Sequence, residues 1–338
     1  MEKPRIKLKS NTASKKAMAF SFGDPEPVLD GRIADYLGVF ASEHKQYYEP
    51  PVSQQGLIKT LRANAHHCTI PYFKRDRLVQ HFNPSDTLNP FELGAAAFEY
   101  FVFGHCYFQK ILNPFKQLLR YKHIPALNMR RLLQADRYGM LGKNDVINKY
   151  KKGEIVQLKE YDPVQSIYGA PQYLGGIQSV LLNESATLFR RRYYNNGAHM
   201  GYVFYTADAN LDEDDETALK EQISQSKGVG NFRSMFLNVP GGKPDSVKII
   251  PVGDIATKDE FERIKNLSRN DILSMWRIQP ALAGIMPENN AGFGDVEKIQ
   301  RMYFENEVVP IQQVFLQLNE NLPRARHISF NNPHTEKD

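Results

Sequence analysis

Hydrophobic and polar positions split the chain into a first half of short, mixed segments and a second half of long periodic ones. From Pro171 to Tyr194, apolar residues stand at Leu174, Ile177, Leu181 and Leu188, with the small Ser185 on the same stripe. This spacing predicts a helix of about 24 residues, roughly 36 Å long. Asn195-Asn196-Gly197 ends it with residues that tolerate a left-handed backbone. A second long helix is predicted from Thr257, where Thr257-Lys258-Asp259-Glu260 fits a capping box. It should carry Phe261, Ile264, Leu267, Ile272 and Met275 inward. A third runs from about Asp295 to Asn321, with Pro310 expected to kink it. Between the first two lies a compact α/β insert. Strands are predicted over Gly201–Thr206, Phe232–Val239 and Ser246–Val252, with a turn at Pro240–Lys243 and an acidic-started helix from Asp212 to Ser226. An insert between two long helices is a lever-like layout: the helices can run side by side and hold the insert away from the main body.

The first half is less regular. Gln55–His67 and Asn89–Phe98 have helical spacing, the latter with Pro90 in its first turn. Tyr100–Phe108 is aromatic and β-branched, as a strand or a helix end would be. Strands are predicted around Leu118–Ile124 and Gly153–Leu158, and the Lys- and Arg-bearing stretches between them read as solvated loops. Residues 1 to about 30 are polar, basic and punctuated by Gly and Pro, and predict a loosely ordered arm. The fold class is α+β, without a repeat of fixed period.

Composition narrows the class. With 338 residues, 41% of them hydrophobic and 24% charged, the chain is neither collagen-like nor wholly disordered and is long enough for a sizeable core. A net charge of +5 is too mild an excess to indicate nucleic-acid binding by itself. Cys68 and Cys106 cannot build a disulfide framework, so a reducing compartment is expected. The basic N-terminus has no apolar run behind it, and no stretch of about 18 apolar residues occurs, so neither a secretory signal nor a membrane span is expected.

Candidate chemistry is sparse. His66, His67 and Cys68 stand together, and His105-Cys106 forms a second pair, but adjacent helical residues point about 100° apart and there is no HExxH. Partly buried members of aromatic clusters are the expectation, with no metal site. Gly228-Val229-Gly230 and Gly292-Phe293-Gly294 extend to neither GxGxxG nor GxxxxGK[ST], so no nucleotide cofactor is expected. No GxSxG is present and no catalytic constellation assembles. The run Asp212, Glu213, Asp214, Asp215, Glu216 suits a solvated helix N-terminus. Arg190, Arg191 and Arg192 fan over about 200° of helix circumference, as a solvated or interface face would.

Several segments carry a resemblance. Ile167-Tyr168-Gly169-Ala170-Pro171-Gln172-Tyr173-Leu174 leads into Leu181–His199 with its Arg190-Arg191-Arg192-Tyr193-Tyr194-Asn195-Asn196-Gly197. Lys227–Arg233, Asp259-Glu260-Phe261, Ile278–Gly284 and Gly292–Lys298 follow, and His66-His67 and Gly104-His105-Cys106-Tyr107 precede. In this order, from about residue 30 to 320, they resemble the portal proteins of tailed bacteriophages, of the PBSX type. The resemblance implies a structural, non-enzymatic subunit of a ring, usually of twelve, at one capsid vertex of the virion. Double-stranded DNA would pass through it without sequence specificity, and assembly would take place in the host bacterial cytoplasm. The implied partners are the terminase large subunit, the major capsid and scaffolding proteins and the head-tail connector, with no membrane.

On that resemblance, residues 1–30 form an arm, 31–170 the wing, 171–198 and 254–278 the two stem helices and 199–253 the clip. Residues 279–294 form the tunnel loop, and 295–338 a long helix returning to the wing and a short crown. Asn289, Asn290, Gly292, Phe293 and Gly294 are then expected nearest the DNA. Arg190, Arg191 and Arg192 are expected at the subunit interface, and Asp212–Glu216 where partners dock. Trp276 and Met275 are expected to pack where stem meets wing. The competing expectation is a metal-dependent DNA-processing enzyme using the His66, His67 and Cys106 region.

Overall fold

The computed structural model describes residues 18–21, 46–143, 146–195, 202–206, 217, 235–238, 247–251, 256–284, 295–320 and 322–332. The chain divides into two units, Met1–Pro27 with Ser185–Arg263, and Val28–Glu184 with Ile264–Asp338.

In the first unit, strand β1 (Met18–Ser21) comes from the segment expected as an arm. The other strands, which carry numbers ten to twelve in chain order, are β10 (Tyr202–Thr206), β11 (Met235–Asn238) and β12 (Val247–Pro251). They form one sheet in the order β1-β11-β10-β12, with β10 and β11 parallel and the other pairs antiparallel. Residue-by-residue propensity does not see the pairing of β1 with β11, because the partners are more than 200 positions apart. The predicted helix from Asp212 and the turn at Pro240 lie outside the described residues, apart from helical Thr217.

The second unit opens with β2 (Tyr47–Tyr48), helices α1 (Gln54–Ala63) and α2 (Ala65–Gln80), and β3 (Phe82–Asn83). Helix α3 (Pro90–Phe103) then leads into the hairpin β4 (His105–Leu112) and β5 (Leu118–Ile124). Strands β6 (Met129–Leu132), β7 (Tyr138–Leu141), β8 (Ile147–Lys149) and β9 (Ile155–Lys159) follow. Two long helices, α4 (Ile177–Asn195) and α5 (Ala256–Met275), each run across the division between units. The unit closes with α6 (Val296–Tyr303), a π-helical turn (Phe304–Val308), α7 (Val309–Leu316) and β13 (Ser329–Phe330). Sheets of order β5-β4-β9 and β2-β6-β7-β8 and the pair β13-β3 complete it.

Alternation along β4 explains the core. Cys106 and Phe108 point to one face, where Phe108 meets Tyr121 and Phe315 edge-on and Tyr100 of α3 also reaches Phe315. Tyr107 points to the other, toward Tyr138 of β7. Phe108, Tyr107 and Phe315 are fully buried, each ring contributing ~1.5–3 kcal/mol of hydrophobic stabilisation. The corner between α3 and β4 needs glycine. Gly104 sits at φ 76°, and a Cβ on Gly169 would lie 1.9 Å from the Gly104 oxygen. The outward edge of β5 is covered: Tyr121 N–H donates to Thr87 O, His123 N–H to the Glu92 carboxylate, and Arg326 Nη1 to Leu119 O. That leaves little of this edge for another strand to pair with.

Several expectations need correcting. The helical pattern over Gln55–His67 is two helices: Asn64 is extended (φ −125°, ψ 126°) and caps α2 by accepting from His67 N–H. The stretches expected as solvated loops after Ile124 hold β6, β7 and β8. There Arg130 and Arg131 are held by Glu49 and Asp136, so charge did not mean loop. Helix α4 is preceded by a 3-10 turn at Gln172–Gly176. Its inward positions are Ile177, Val180, Asn183 and Glu184, whereas Ser185 is exposed. Ile272 of α5 is buried as expected, but Leu267 is 56% exposed, and Ser268 and Leu273 are buried in addition. Thr257 stands within the first turn of α5 and not at its cap. Around Pro310 the third helix continues through the π-helical turn immediately before α7. Proline lacks the N–H that an α-turn would use and crowds the carbonyl four residues back, which the wider turn accommodates. Among the described residues, no helix is long and apolar enough to cross a membrane.

Candidate functional site

The expected site residues fall into three groups. Arg190 and Arg191 lie on α4 with exposed side chains, and Arg192 follows on the same helix. Among the described residues, no ion pair of their own chain holds Arg190 or Arg191. Asp212–Glu216, and Asn289, Asn290, Gly292, Phe293 and Gly294, lie outside the described residues.

The structure instead resolves how the two long helices are rooted in the second unit. Asn183 of α4 is buried, and its Nδ2 donates to Ser268 Oγ at 2.8 Å and to the Lys265 carbonyl at 3.0 Å, both on α5. Its Oδ1 accepts from Asn64 Nδ2 at 2.9 Å, tying the seam to the junction of α1 and α2. One turn away, Ser179 donates to Asp271 at 3.1 Å. Each bond fixes the register of the pair, since a slip of one residue would strand polar groups in the interior.

Just past the end of α5 sits a second cluster. Trp276, 4% exposed, stacks on Tyr173 with centroids 4.6 Å apart, and its Nε1–H donates to His67 Nδ1 at 2.9 Å. Burial drives the His67 pKa down to about 3, which keeps the ring neutral and able to accept. Lys74 Nζ donates to the Trp276 carbonyl at 3.1 Å and to Glu307 Oε2, in the π-helical turn, at 3.0 Å. Burial lowers the Lys74 pKa, with Glu307 opposing. Arg277, at φ 55°, adds a longer contact to Glu307 at 3.6 Å. The stretch entering the expected tunnel loop is thus tied to α2 and to the helix that follows the loop.

His67, His105 and Cys106 are all buried in the interior. The indole occupies His67 Nδ1, and His105 is wedged between the Gln54 amide and Gly169 O, with burial lowering its pKa to about 4. Burial raises the Cys106 thiol well above its usual range, and the His66 pKa is lowered by burial and then by Arg269 and Lys265. Among the described residues, no three His, Cys, Asp or Glu side chains could share a metal ion. The enzyme reading built on His66, His67 and Cys106 therefore finds no support. Sequence reasoning missed Asn64, Asn183, Lys74 and Glu307. A polar residue at an inward helical position, such as Asn183 between Val180 and Ala186, is the signal that could have found them.

Comparison with known proteins gives one consistent result. The profile of a family described as "Phage portal protein" matches residues 76–332. The chain is 40% identical over 318 residues to the "Probable portal protein" of Escherichia phage P2, covering 94% of this chain and 92% of that protein. It is 39% identical to the "Probable portal protein" of Haemophilus phage HP1 (strain HP1c1), covering 87% of each. The phage-like element PBSX protein XkdE of Bacillus subtilis (strain 168) is 25% identical over 46% of this chain. In structure, a chain from the neck of a native gene transfer agent particle, computed with C12 symmetry, superposes with TM-score 0.60 at 13% identity, over 85% of each chain. A HK97 family phage portal protein from Corynebacterium diphtheriae superposes with TM-score 0.57 at 11% identity, over 81% of this chain and 94% of its own.

Proposed function

The chain belongs to the phage portal protein family, and on that premise we propose that its copies close into a ring, usually of twelve in this family, around a channel for double-stranded DNA. Portal proteins are structural subunits of the virion, set at the capsid vertex. The observation that carries the reading is the near-complete alignment with the P2 portal protein, at 40% identity over 94% of this chain and 92% of that one.

In this reading residues 31–170 are the wing, α4 and α5 the stem, 199–253 the clip and 279–294 the tunnel loop. Asn289, Asn290 and Phe293 face the DNA, and Gly292 and Gly294 let the loop move. The clip, with Asp212–Glu216, docks the terminase large subunit during packaging and the head-tail connector afterwards. The major capsid and scaffolding proteins surround the ring as it assembles in the host bacterial cytoplasm. A conduit must hold a polyanion without gripping it, because each phosphate neutralised adds salt-dependent affinity that opposes sliding. A net charge of only +5 over 338 residues and an acidic clip suit weak contact.

Ring closure needs side chains whose partners lie on the neighbouring subunit. The exposure of Arg190 and Arg191 on α4 supports the reading that they meet acidic groups of an adjacent stem. Reversal of Arg190, Arg191 and Arg192 to Glu should reduce the fraction of ring-sized particles in sedimentation velocity without unfolding the subunit. Normal ring yield would remove these arginines from the interface.

A further inference from the structure

We propose that the β4–β5 hairpin and the segment crossing its edge form a second, sequence-independent surface for duplex nucleic acid, apart from the channel loop. The chain carries no Asp or Glu from Tyr100 to Ala135, a stretch that includes both strands, yet it places Lys110, Lys116, Arg120 and Lys122 there. Another acid-free stretch, Asn321 to Thr335, brings Arg324 and Arg326. The fold joins them: Arg326 Nη1 donates to the Leu119 carbonyl at 3.2 Å on the outer edge of β5.

The hairpin presents Lys116, Arg120 and Lys122 to solvent, whereas Lys110, paired with Tyr121, stands on the other face. Lys116 sits at φ 62° in the turn, where its N–H donates to Asn113 O at 2.9 Å and the Asn113 side chain accepts from Gln117 N–H. Arg120 and Lys122 pair with Ile111 and Gln109 of β4, so they share the face opposite buried Tyr121. Standing two apart on a strand, they are about 6.8 Å from each other. That is two charge steps along one strand of a duplex, which carries a phosphate every ~3.4 Å of axis. Lys116, Arg120, Lys122 and Arg324 are exposed. Among the described residues, no carboxylate pairs with any of them, or with Lys110.

Three acids nearby are already engaged, whereas Asp86, next to Thr87, and Glu320, two residues past Leu318, are exposed. Glu92 accepts from His123 N–H, Glu99 accepts from His123 Nε2 and Ala126 N–H, and Glu154 accepts from Gln109 and from Lys151 N–H. An exposed row of cations without counter-charges is complementary to a regular polyanion. It has no paired acceptors with which to read base edges, so it should bind phosphates without regard to sequence. The surface lies within one unit and does not depend on the ring, so its test stands apart from that of the proposed function.

The test is fluorescence anisotropy of the full chain with a labelled random-sequence duplex of about 25 base pairs, from 50 to 200 mM salt. It compares wild type with Lys116→Gln/Arg120→Gln/Lys122→Gln and with a charge-matched control, Lys59→Gln/Lys149→Gln/Lys152→Gln. Particle size and thermal unfolding are recorded for each. Loss of three phosphate contacts should flatten the slope of log K against log salt by about 2.7. Wild type would then lose about 40-fold more affinity than the hairpin variant across that range, while the control tracks wild type. Equal effects in both variants would reduce the finding to net charge and overturn the proposal. So would no effect in the hairpin variant, no binding by wild type, or displacement of DNA by polyglutamate at lower charge concentration than by unlabelled duplex, which would mark an acidic protein segment as the ligand. If the hairpin variant changes particle size, the single substitution Lys122→Gln, with an expected slope change of about 0.9, decides.

Discussion

Glu307→Gln removes the carboxylate facing Lys74 Nζ at 3.0 Å while keeping the side chain's size. Lys74 is 8% exposed and Glu307 14%, so the pair lies largely out of water. Breaking such a pair by deleting one charge typically costs ~3–5 kcal/mol, because the remaining ion stays buried without compensation. The glutamine oxygen can still accept from Nζ, so the lower end, about 3 kcal/mol, is expected. Lys74→Met should cost less, ~1–2 kcal/mol, since Glu307 keeps Arg277 at 3.6 Å and chiefly the bond to the Trp276 carbonyl is lost. The double variant should recover most of the deficit, giving a coupling above ~1.5 kcal/mol. The pH dependence has a definite sign. The folded Lys74 pKa is already lowered from 10.5, by burial first, and loss of Glu307, which raises it, must lower it further. Between that folded pKa and 10.5 the unfolded chain holds more protons, so stability rises with pH. The Glu307→Gln deficit should therefore shrink from pH 7 toward pH 10. Urea unfolding followed by tryptophan emission reads this cluster directly, because Trp276 is the sole tryptophan of the chain. A Glu307→Gln deficit under ~0.5 kcal/mol, a larger cost for Lys74→Met, or a deficit that grows with pH would refute the reasoning.

Asn183→Leu should destabilise the root of the helix pair by ~2–4 kcal/mol through loss of three buried hydrogen bonds, measured in the same urea titration. Gly169→Ala should prevent accumulation of soluble protein, since its Cβ would meet the Gly104 oxygen at 1.9 Å and backbone cannot swing aside; solubility on expression checks this. The pKa values of His67 and His105 are depressed to about 3 and about 4, so their contribution is complete above 6.5 and is lost as pH falls through those values. Acid unfolding followed at Trp276 should become shallower in His67→Gln, which keeps an acceptor for the indole and removes the titration; an unchanged acid limb would contradict it.

Much of the fold was legible where periodicity and caps agree. Pro90 opens α3 as its position predicted, and Leu118–Ile124 is β5 to the residue. What escaped was set by distant partners. Asn64 looks like an interior helical residue until Asn183, 119 positions away, holds its side chain and the chain breaks there. The strands β6 to β8 were hidden by charged residues, among them Arg130 and Arg131, whose charges are met by Glu49 and Asp136. The ion pair of Lys74 joins residues 233 apart, a relation that no local window contains. The family was legible for a different reason: its short segments, individually weak, recur in order along most of the chain.

Negative-stain imaging of the purified wild-type protein, with native mass measurement of the same sample, tests the central claim most directly. The account predicts closed rings of a single subunit number, with a central opening wide enough to pass a DNA duplex. A protein that stays monomeric at high concentration, even with capsid and scaffolding proteins added, or that forms open filaments or solid particles, would contradict it.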